Sequence, residues 1–434
     1  MNFQPLNILI TVLELNSYSG LPLYTRDIAF ELKRQGHHPE VYTLRMGGLA
    51  DELLDAGIHV TNNPARLGQR PDIIHGQHRV STLIAVKRFK RSPAIFICHN
   101  HTFWGDEAPF HPRILQYFGV SRVCMERLIK DGVPENRVQF LFNFVDTSRF
   151  LPRQPLPLKP RKALVFSNYA SEQTHLPAIR EACHQLNLEL DVVGMQTNYV
   201  HQPEEVLGKY DLIFAKAKAA MEAMAVGAAV ILCDFSGVGP MVTTEEFDKL
   251  RLMNFGFQAL TQPLHPQNII RQIECYDPED AENVKELIRS TASLEKAVKN
   301  LVQNYQTTIQ EYKKHLNGKL IRKPSFKELL YWERARYWAS LYVKQNKLPK
   351  IIAQLDPASQ ESTFLYERKV EILFHKEAVE QIKMPPVSIK IFIWIKMLPI
   401  KIWMKIPETL RFRIKKLPLL QQIIKWAKNL LGVE

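Results

Sequence analysis

The sequence has little of the material from which disulfide-rich, collagen-like or repetitive proteins are built. Its five cysteines are far apart and odd in number, so neither a CxxC pair nor a disulfide framework is present, and a reducing compartment is favoured. The 18 glycines and 27 prolines among 434 residues are too few for collagen or low-complexity sequence, and no fixed-period repeat is present. The composition therefore indicates a globular protein with room for two or three domains of roughly 100 to 200 residues.

Long apolar runs are also missing. Residues 1–12 lack the basic segment, apolar core and cleavage site of a signal peptide, so we expect the chain to enter a first strand directly and to stay in the cytoplasm. In residues 383–434, lysine or proline interrupts the apolar sequence every few positions, whereas a spanning helix needs about 20 mainly apolar residues. No membrane-spanning helix is predicted.

Positive charge is concentrated in the last part of the chain. Of the formal net charge of +13, residues 383–434 hold +9, from eleven lysines and arginines against two glutamates, which leaves +4 for residues 1–382. This distribution argues against nucleic acid as a partner. Because isoleucines and tryptophans alternate with the cations, we predict that this tail lies in the headgroup region of an anionic membrane, on its cytoplasmic face. The alternative is that its apolar residues cover the rest of the chain or a partner subunit.

Short apolar runs of strand length alternate with amphipathic stretches of helix length from residue 7 onward. This alternation predicts an α/β fold, with a doubly wound parallel sheet covered by helices on both faces. Such sheets bind ligands beyond the carboxyl ends of their strands. Four histidines stand at predicted strand ends: His75, His78, His99 and His101.

A basic stretch with four prolines, LPRQPLPLKPR at residues 151–161, is typical of an extended connector between domains. Strands and helices alternate again from residue 163, and long helical patterns follow after residue 281. The chain is therefore divided into four predicted parts. These are Rossmann-like domains at 1–152 and 160–300, a helical extension at 301–382 and the basic amphipathic tail at 383–434.

The most specific motif is EAMAVGAAVI at residues 222–231, in which a carboxylate opens a helix of small residues, Gly227 ends it and a buried strand follows. Here the chain resembles the retaining glycosyltransferases of family 4 (glycosyl transferases group 1), whose donor domain carries an E-A-M-A-x-G-x-P-V-I segment; Ala229 replaces the proline. The resemblance covers about residues 5–310. Five further pieces occur in the family's order: Ser19-Gly20, QGHHPEVYT from Gln35, PDIIHGQH from Pro71, ICHNH from Ile97 and NFVDTSRF from Asn143.

The resemblance implies a GT-B architecture, in which an acceptor domain and a nucleotide-sugar donor domain face a cleft. It implies an enzyme that transfers a sugar, with retention, from a nucleotide-diphosphate-sugar donor to a glycan or lipid-linked acceptor in cell-surface polysaccharide or glycolipid synthesis. His99 would contact the transferred sugar, and Glu222 would accept hydrogen bonds from the ribose hydroxyls.

Charge grows on the leaving diphosphate as the glycosidic bond breaks, so cations and backbone N–H groups are needed there. Lys216 and Lys218, before the Glu222 helix, and the Ser19-Gly20 loop supply them. The alternatives are a solvated lysine pair, an ordinary turn, a helix-dipole role for Glu222 and structural histidines. We predict catalytic roles for His99 and Lys218, and substrate-binding roles for Ser19, Gly20, His75, His78, Asn168, Lys216 and Glu222.

One position departs from the family pattern. A second glutamate, eight positions before the one matched by Glu222, would contact the sugar, and Phe214 stands there. Sugar recognition must therefore differ from that of the family. Two other functions stay open, a non-catalytic nucleotide-sugar scaffold or sensor of GT-B fold, and a GT-B epimerase with Asp106 and Glu107 as acid and base. No metal or other cofactor is expected, because no carboxylate stands at ligand spacing with the histidines.

Overall fold

The computed structural model describes residues 4–99, 107–195 and 197–317. They form two α/β lobes, each built on its own sheet, which confirms the predicted fold class. The predicted helical extension beyond residue 317, the tail at 383–434 and the two residues His101 and Asp106 lie outside the described residues.

The first lobe contains a seven-stranded parallel sheet with the order β3-β2-β1-β4-β5-β6-β7. Its central strands are almost continuously apolar because helices cover both faces of the sheet. The strands are β1 (Asn7–Glu14), β2 (His38–Arg45), β3 (Val60–Thr61), β4 (Ile73–Gly76), β5 (Ala94–Cys98), β6 (Ile114–Gly119) and β7 (Val138–Phe140). The helices are α1 (Gly20–Arg34), α2 (Gly48–Asp55), α3 (Arg79–Arg88) and α4 (Arg122–Lys130).

The second lobe contains a five-stranded sheet with the order β12-β11-β10-β8-β9, parallel except for β12. Its strands are β8 (Lys162–Phe166), β9 (Glu189–Val193), β10 (Leu212–Ala215), β11 (Ala229–Asp234) and β12 (Gly237–Met241). Its helices are α5 (Leu176–Gln185), α6 (Glu204–Leu207), α7 (Ala217–Val226), α8 (Phe247–Leu252), α9 (Pro266–Ile273) and α10 (Pro278–Thr291).

The motif helix α7 ends as its sequence predicts. Gly227 follows Val226 in the left-handed region, with φ 89°, and its N–H donates back to the carbonyl of Met224. Glycine takes this conformation without a steric penalty, so the chain turns at once into β11. The helix therefore begins at the carboxyl end of β10 and is fixed there by the neighbouring strand.

A last helix, α11 (Leu294–Asn317), returns to the first lobe. Val298, Leu301 and Tyr305 are buried in the same core as the strands of the first sheet. The helix thus crosses residue 300, where the sequence predicts a boundary. In the described part of the chain, no helix combines the length and the hydropathy needed to cross a bilayer.

Candidate functional site

Each sheet has a switch in strand order, and α/β sheets bind ligands at the carboxyl ends of the strands that flank such a switch. In the first lobe it lies between β1 and β4, which lead into the loops at 15–19 and 77–78. In the second lobe it lies between β8 and β10, which lead into the loop at 167–175 and into α7. The predicted site residues lie on these strands, in these loops or on α7, with three exceptions beside them: Gly20 begins α1, Lys216 stands between β10 and α7, and His99 follows the adjacent strand β5.

The loop after β1 leaves the start of helix α1 open. Ser19 precedes the helix with extended backbone angles (φ −104°, ψ 171°), and its hydroxyl does not cap the helix. It lies 2.9 Å from the hydroxyl of Ser17 instead. A Cβ atom placed on Gly20 would meet no other atom within 4 Å. The N–H groups of Gly20 and Leu21 thus stand at an uncrowded position, as an anion site requires, whereas Pro22 has no N–H to contribute.

A cluster of four charged side chains joins α1 to α7, and we call it the interlobe charge cluster: Arg26, Asp27, Lys218 and Glu222. Lys218 Nζ lies 2.8 Å from Asp27 Oδ2 on the first lobe and 3.5 Å from Glu222 Oε1 on its own helix. Asp27 Oδ1 also accepts a hydrogen bond from Arg26 Nη2 at 2.8 Å. All four side chains are buried or nearly so. Glu222 therefore faces the first lobe through Lys218.

The cluster shifts the pKa values of its members. Burial opposes ionisation of Asp27, but Lys218 and Arg26 outweigh it and hold the pKa of Asp27 below its ordinary value. Burial likewise opposes protonation of Lys218, and the charges of Asp27 and Glu222 reverse this and raise its pKa. For Glu222, burial dominates and the nearby Asp27 adds to it, so its pKa is raised despite Lys218. Glu222 is the member that is least well compensated as an anion.

Lys216 lies at a separate position, between a carboxylate and aromatic rings. Its Nζ is 2.7 Å from Asp234 Oδ2, at the end of β11, and 3.9 Å from the ring centre of Phe257. The ring centre of Tyr169 is 5.3 Å away. Burial lowers the pKa of Lys216 to about 8. The two predicted lysines are therefore not a solvated pair, and each has its own carboxylate partner.

The histidines differ in how they are held. His75 is fully buried, its Nδ1 lies 2.6 Å from the hydroxyl of Tyr305, and burial lowers its pKa to about 3. His78 Nδ1 accepts a hydrogen bond from the backbone N–H of Leu13 at 3.1 Å. The ring of His99 packs edge-on against Tyr24, with 4.4 Å between ring centres. Of the three, His75 is the most completely enclosed by the core.

Asn168 holds two loops of the second lobe together. Its Oδ1 accepts a hydrogen bond from the backbone N–H of Met195 at 3.3 Å. Next to it, a Cβ atom on Gly194 would lie 1.9 Å from the carbonyl oxygen of Ser167, so only glycine fits there. Asn168 thus lies beside the switch point, with part of its side chain used for structure.

Sequence reasoning missed Asp27 and Asp234. Asp27 belongs to the buried stripe of α1, with Tyr24, Ile28 and Glu31 on the same face at helical spacing. A carboxylate within an apolar stripe needs a partner, and that signal was present in the sequence. Asp234 ends the apolar run AVILCD, which is the same kind of signal at a strand end.

A cavity of about 500 Å³ lies beside the interlobe charge cluster. Arg26 and Asp27 line it from the first lobe, Arg149 from the segment just before the connector, and Glu204 from the second lobe. Arg149 and Glu204 form an ion pair at 2.8 Å across it. Its volume is in the range of small-molecule sites. Within residues 4–99, 107–195 and 197–317, no three metal-ligating side chains come together.

Two Rossmann-like α/β lobes are the architecture of the GT-B fold, and solved structures share it. A glycosyltransferase from Rickettsia africae ESF-5 has a TM-score of 0.52 and 16% identity, covering 71% of this chain and 99% of that chain. Anabaena Alr3699/HepE, solved in complex with UDP and glucose, has a TM-score of 0.51 and 14% identity, covering 70% and 100%.

The family match narrows the class. Residues 18–149 match the model of Glycosyltransferase Family 4. No curated protein sequence matches the chain significantly. Over these residues the chain is similar to the family 4 glycosyltransferases that its motifs also resemble, and this likeness, with the shared fold, supports a glycosyltransferase enzyme.

Proposed function

We propose that this glycosyltransferase moves a sugar from a nucleotide-diphosphate-sugar donor to a glycan or lipid-linked acceptor, with retention of anomeric configuration. The observation that carries the proposal is the contact of Lys218 with both Asp27 and Glu222, because it holds a cation and a ribose-binding carboxylate at the start of α7 where the lobes meet. The Anabaena protein of the same fold, solved with UDP and glucose, supports a uridine nucleotide as the first donor to test.

In this proposal the donor's diphosphate lies between the amino ends of α1 and α7. The N–H groups after Ser19 and the ammonium of Lys218 stabilise the negative charge that grows on the leaving phosphate. Glu222 accepts hydrogen bonds from the ribose hydroxyls. Burial raises the pKa of Glu222 and so disfavours its anion, and the two hydroxyl donors stabilise that anion when the nucleotide binds. His99 contacts the transferred sugar.

Retention follows from attack on the same face that the phosphate leaves. The acceptor hydroxyl forms its bond to the anomeric carbon as the bond to the diphosphate oxygen breaks, and the departing phosphate takes the hydroxyl proton. No side-chain nucleophile is required, and no step in this scheme needs a metal or another cofactor.

The acceptor and the setting are part of the proposal. The +9 tail at 383–434 supports peripheral binding to an anionic cytoplasmic membrane face, where cell-surface polysaccharides and glycolipids are assembled. A free glycan acceptor would not need this tail for turnover.

Release of nucleoside diphosphate tests the activity. The full-length protein is incubated with UDP-glucose, UDP-galactose, UDP-N-acetylglucosamine or GDP-mannose, with and without lipid extract, and the released diphosphate is measured. We expect release with at least one donor, and a loss of roughly 100-fold or more in Lys218→Met. Lys249→Met is the matched control, since Lys249 is an exposed lysine paired with Glu246. An inactive wild type with every donor contradicts the proposal.

A non-catalytic nucleotide-sugar scaffold is favoured by one observation. Phe214, at the position of the family's sugar-contacting glutamate, is fully buried in the core of the second lobe and offers no polar group. Tight binding of a nucleoside diphosphate together with no turnover of any donor would support this function over catalysis.

A further inference from the structure

Two exposed aromatic rings, those of Tyr169 and Phe257, flank Lys216 at one edge of the second sheet, and Phe235 contacts both rings. We define the Lys216 site as Lys216, Asp234, Tyr169, Phe235 and Phe257. The rings of Tyr169, Phe235 and Phe257 are 51%, 45% and 42% exposed, although side chains of this size are usually covered. Phe235 contacts Tyr169 and Phe257 edge-on, with ring centres 5.5 and 6.0 Å apart. The rings therefore form one continuous apolar surface.

The backbone around this surface is strained. Among the described residues, four that are not glycine have positive φ, and three of them lie within three residues of Lys216 or Phe257 in the sequence: Ala217, Asn254 and Phe255, with φ of 51°, 55° and 49°. Ala217 donates its N–H to the carbonyl of Phe255 at 2.8 Å, which ties the start of α7 to the segment that carries Phe257. Such conformations persist where the surrounding structure holds them, and they cluster at functional sites.

The Lys216 site also has a defined charge. Asp234 is fully buried, so it cannot meet a ligand directly, but it neutralises the ammonium of Lys216. Lysine has three N–H donors, and Asp234 is its sole ion-pair partner among the described residues. The site thus offers hydrogen-bond donors and apolar ring faces with a net charge of zero.

We propose that the Lys216 site binds the transferred sugar of the donor as a neutral hexopyranose, with its C–H face on the aromatic rings and a hydroxyl accepting a hydrogen bond from Lys216. This inference rests on the proposed function. Lys216 precedes Lys218 by two residues at the carboxyl edge of the sheet, and Lys218 reaches the first lobe. A sugar joined to a diphosphate at the start of α7 therefore extends over this surface. Because the ion pair is neutral, the site favours an uncharged hexose over a uronate.

Binding of UDP and of UDP-glucose separates this site from the nucleotide site. Dissociation constants are measured by calorimetry on the full chain for wild type, Phe257→Leu and Tyr169→Leu. Phe142→Leu is the matched control, because Phe142 is similarly exposed but packs against Phe140 and Arg251. If the wild type binds GDP and not UDP, the same measurements are made with GDP in place of UDP and GDP-mannose in place of UDP-glucose.

We expect both site variants to bind UDP within twofold of wild type and UDP-glucose roughly fivefold more weakly, with the control unchanged. UDP-glucuronate should bind wild type less tightly than UDP-glucose. Asp234→Asn leaves the charge of Lys216 unneutralised, so it should reduce this difference between the two dissociation constants. Equal weakening of UDP and UDP-glucose, or no weakening of either, would overturn the inference while leaving the proposed function intact. A wild type that binds no nucleoside diphosphate would overturn both.

Discussion

Breaking the ion pair between Asp27 and Lys218 should reveal how strongly the two lobes are joined. The two charges are 2.8 Å apart and are separated by 191 residues in sequence. We consider Asp27→Asn and Lys218→Met, which keep approximate side-chain shape and remove one charge each, together with the double variant. Each single change leaves a buried charge with one partner fewer.

The magnitude follows from the distance and the burial. At an effective dielectric constant of about 20, two unit charges at this distance attract by about 6 kcal/mol, and the desolvation of both offsets much of it. Removing one member of a buried pair costs about 3–5 kcal/mol, because the other stays buried. Arg26 still compensates Asp27, and Glu222 still compensates Lys218, so we take the lower end. Single variants should lose about 3 kcal/mol, the double variant about 4, and the coupling energy should be about 2 kcal/mol.

Urea unfolding at pH 7.5, followed by circular dichroism, gives the four free energies of the cycle. The exposed pair Arg122 and Glu126, 3.2 Å apart on α4, provides the control cycle. Its coupling energy should stay below about 0.5 kcal/mol. If the Asp27 and Lys218 cycle gave a value as small as the control, the lobes would not be joined by this pair in solution, and the closed site built on it would be wrong.

Three further predictions concern stability, protonation and the membrane. The pKa of Glu222 is higher in the folded protein than in the unfolded chain, because its carboxylate is buried. The stability of the fold should therefore fall as pH rises from the unfolded pKa through the folded pKa. Glu222→Gln should therefore be no less stable than wild type at pH 7.5 in urea unfolding, yet bind UDP at least roughly tenfold more weakly, and a destabilised variant contradicts this. The pKa of His75 is lowered to about 3, against about 6.5 in the unfolded chain, so its contribution to stability is present above pH 6.5 and is lost as pH falls toward 3. His75→Asn should flatten this acid loss, and its imidazole NMR signals in wild type should not titrate between pH 8 and 5. The full-length protein should sediment with anionic vesicles but not with neutral ones, and truncation at Pro385 should abolish the sedimentation with anionic vesicles. Unchanged sedimentation of the truncated protein would contradict the membrane prediction for residues 383–434.

Local sequence patterns determined the elements of both lobes. Buried parallel strands must be apolar along their length, so ILITV in β1 and AVILC in β11 identify themselves without any knowledge of their neighbours. The end of α7 at Gly227 is where the sequence predicts it, but the helix begins at Ala217, before the Glu222 motif that marks it in the sequence. The strand β12 escaped prediction because GVGPM lacks the β-branched run of a strand and pairs antiparallel at the sheet edge.

Function could be predicted to the level of the class, because the glycosyltransferase motif is a run of adjacent residues. The roles of the other site residues could not be predicted, since these roles depend on partners that are far away in sequence. His75 stands at a strand end that the sequence presents as open, and Tyr305, 230 residues later, covers it. Asp27 and Asp234 gave only the general signal of a carboxylate in apolar surroundings.

The sequence alone thus determined which segments form strands and helices, because periodicity and glycine positions act over a few residues. The tertiary structure decided which charges meet. It placed Asp27 on Lys218 and Asp234 on Lys216, and so gave two lysines that are only two positions apart separate surroundings. The physical reason is that the energy of a buried charge depends on the partner that the fold brings to it, and no local pattern specifies that partner.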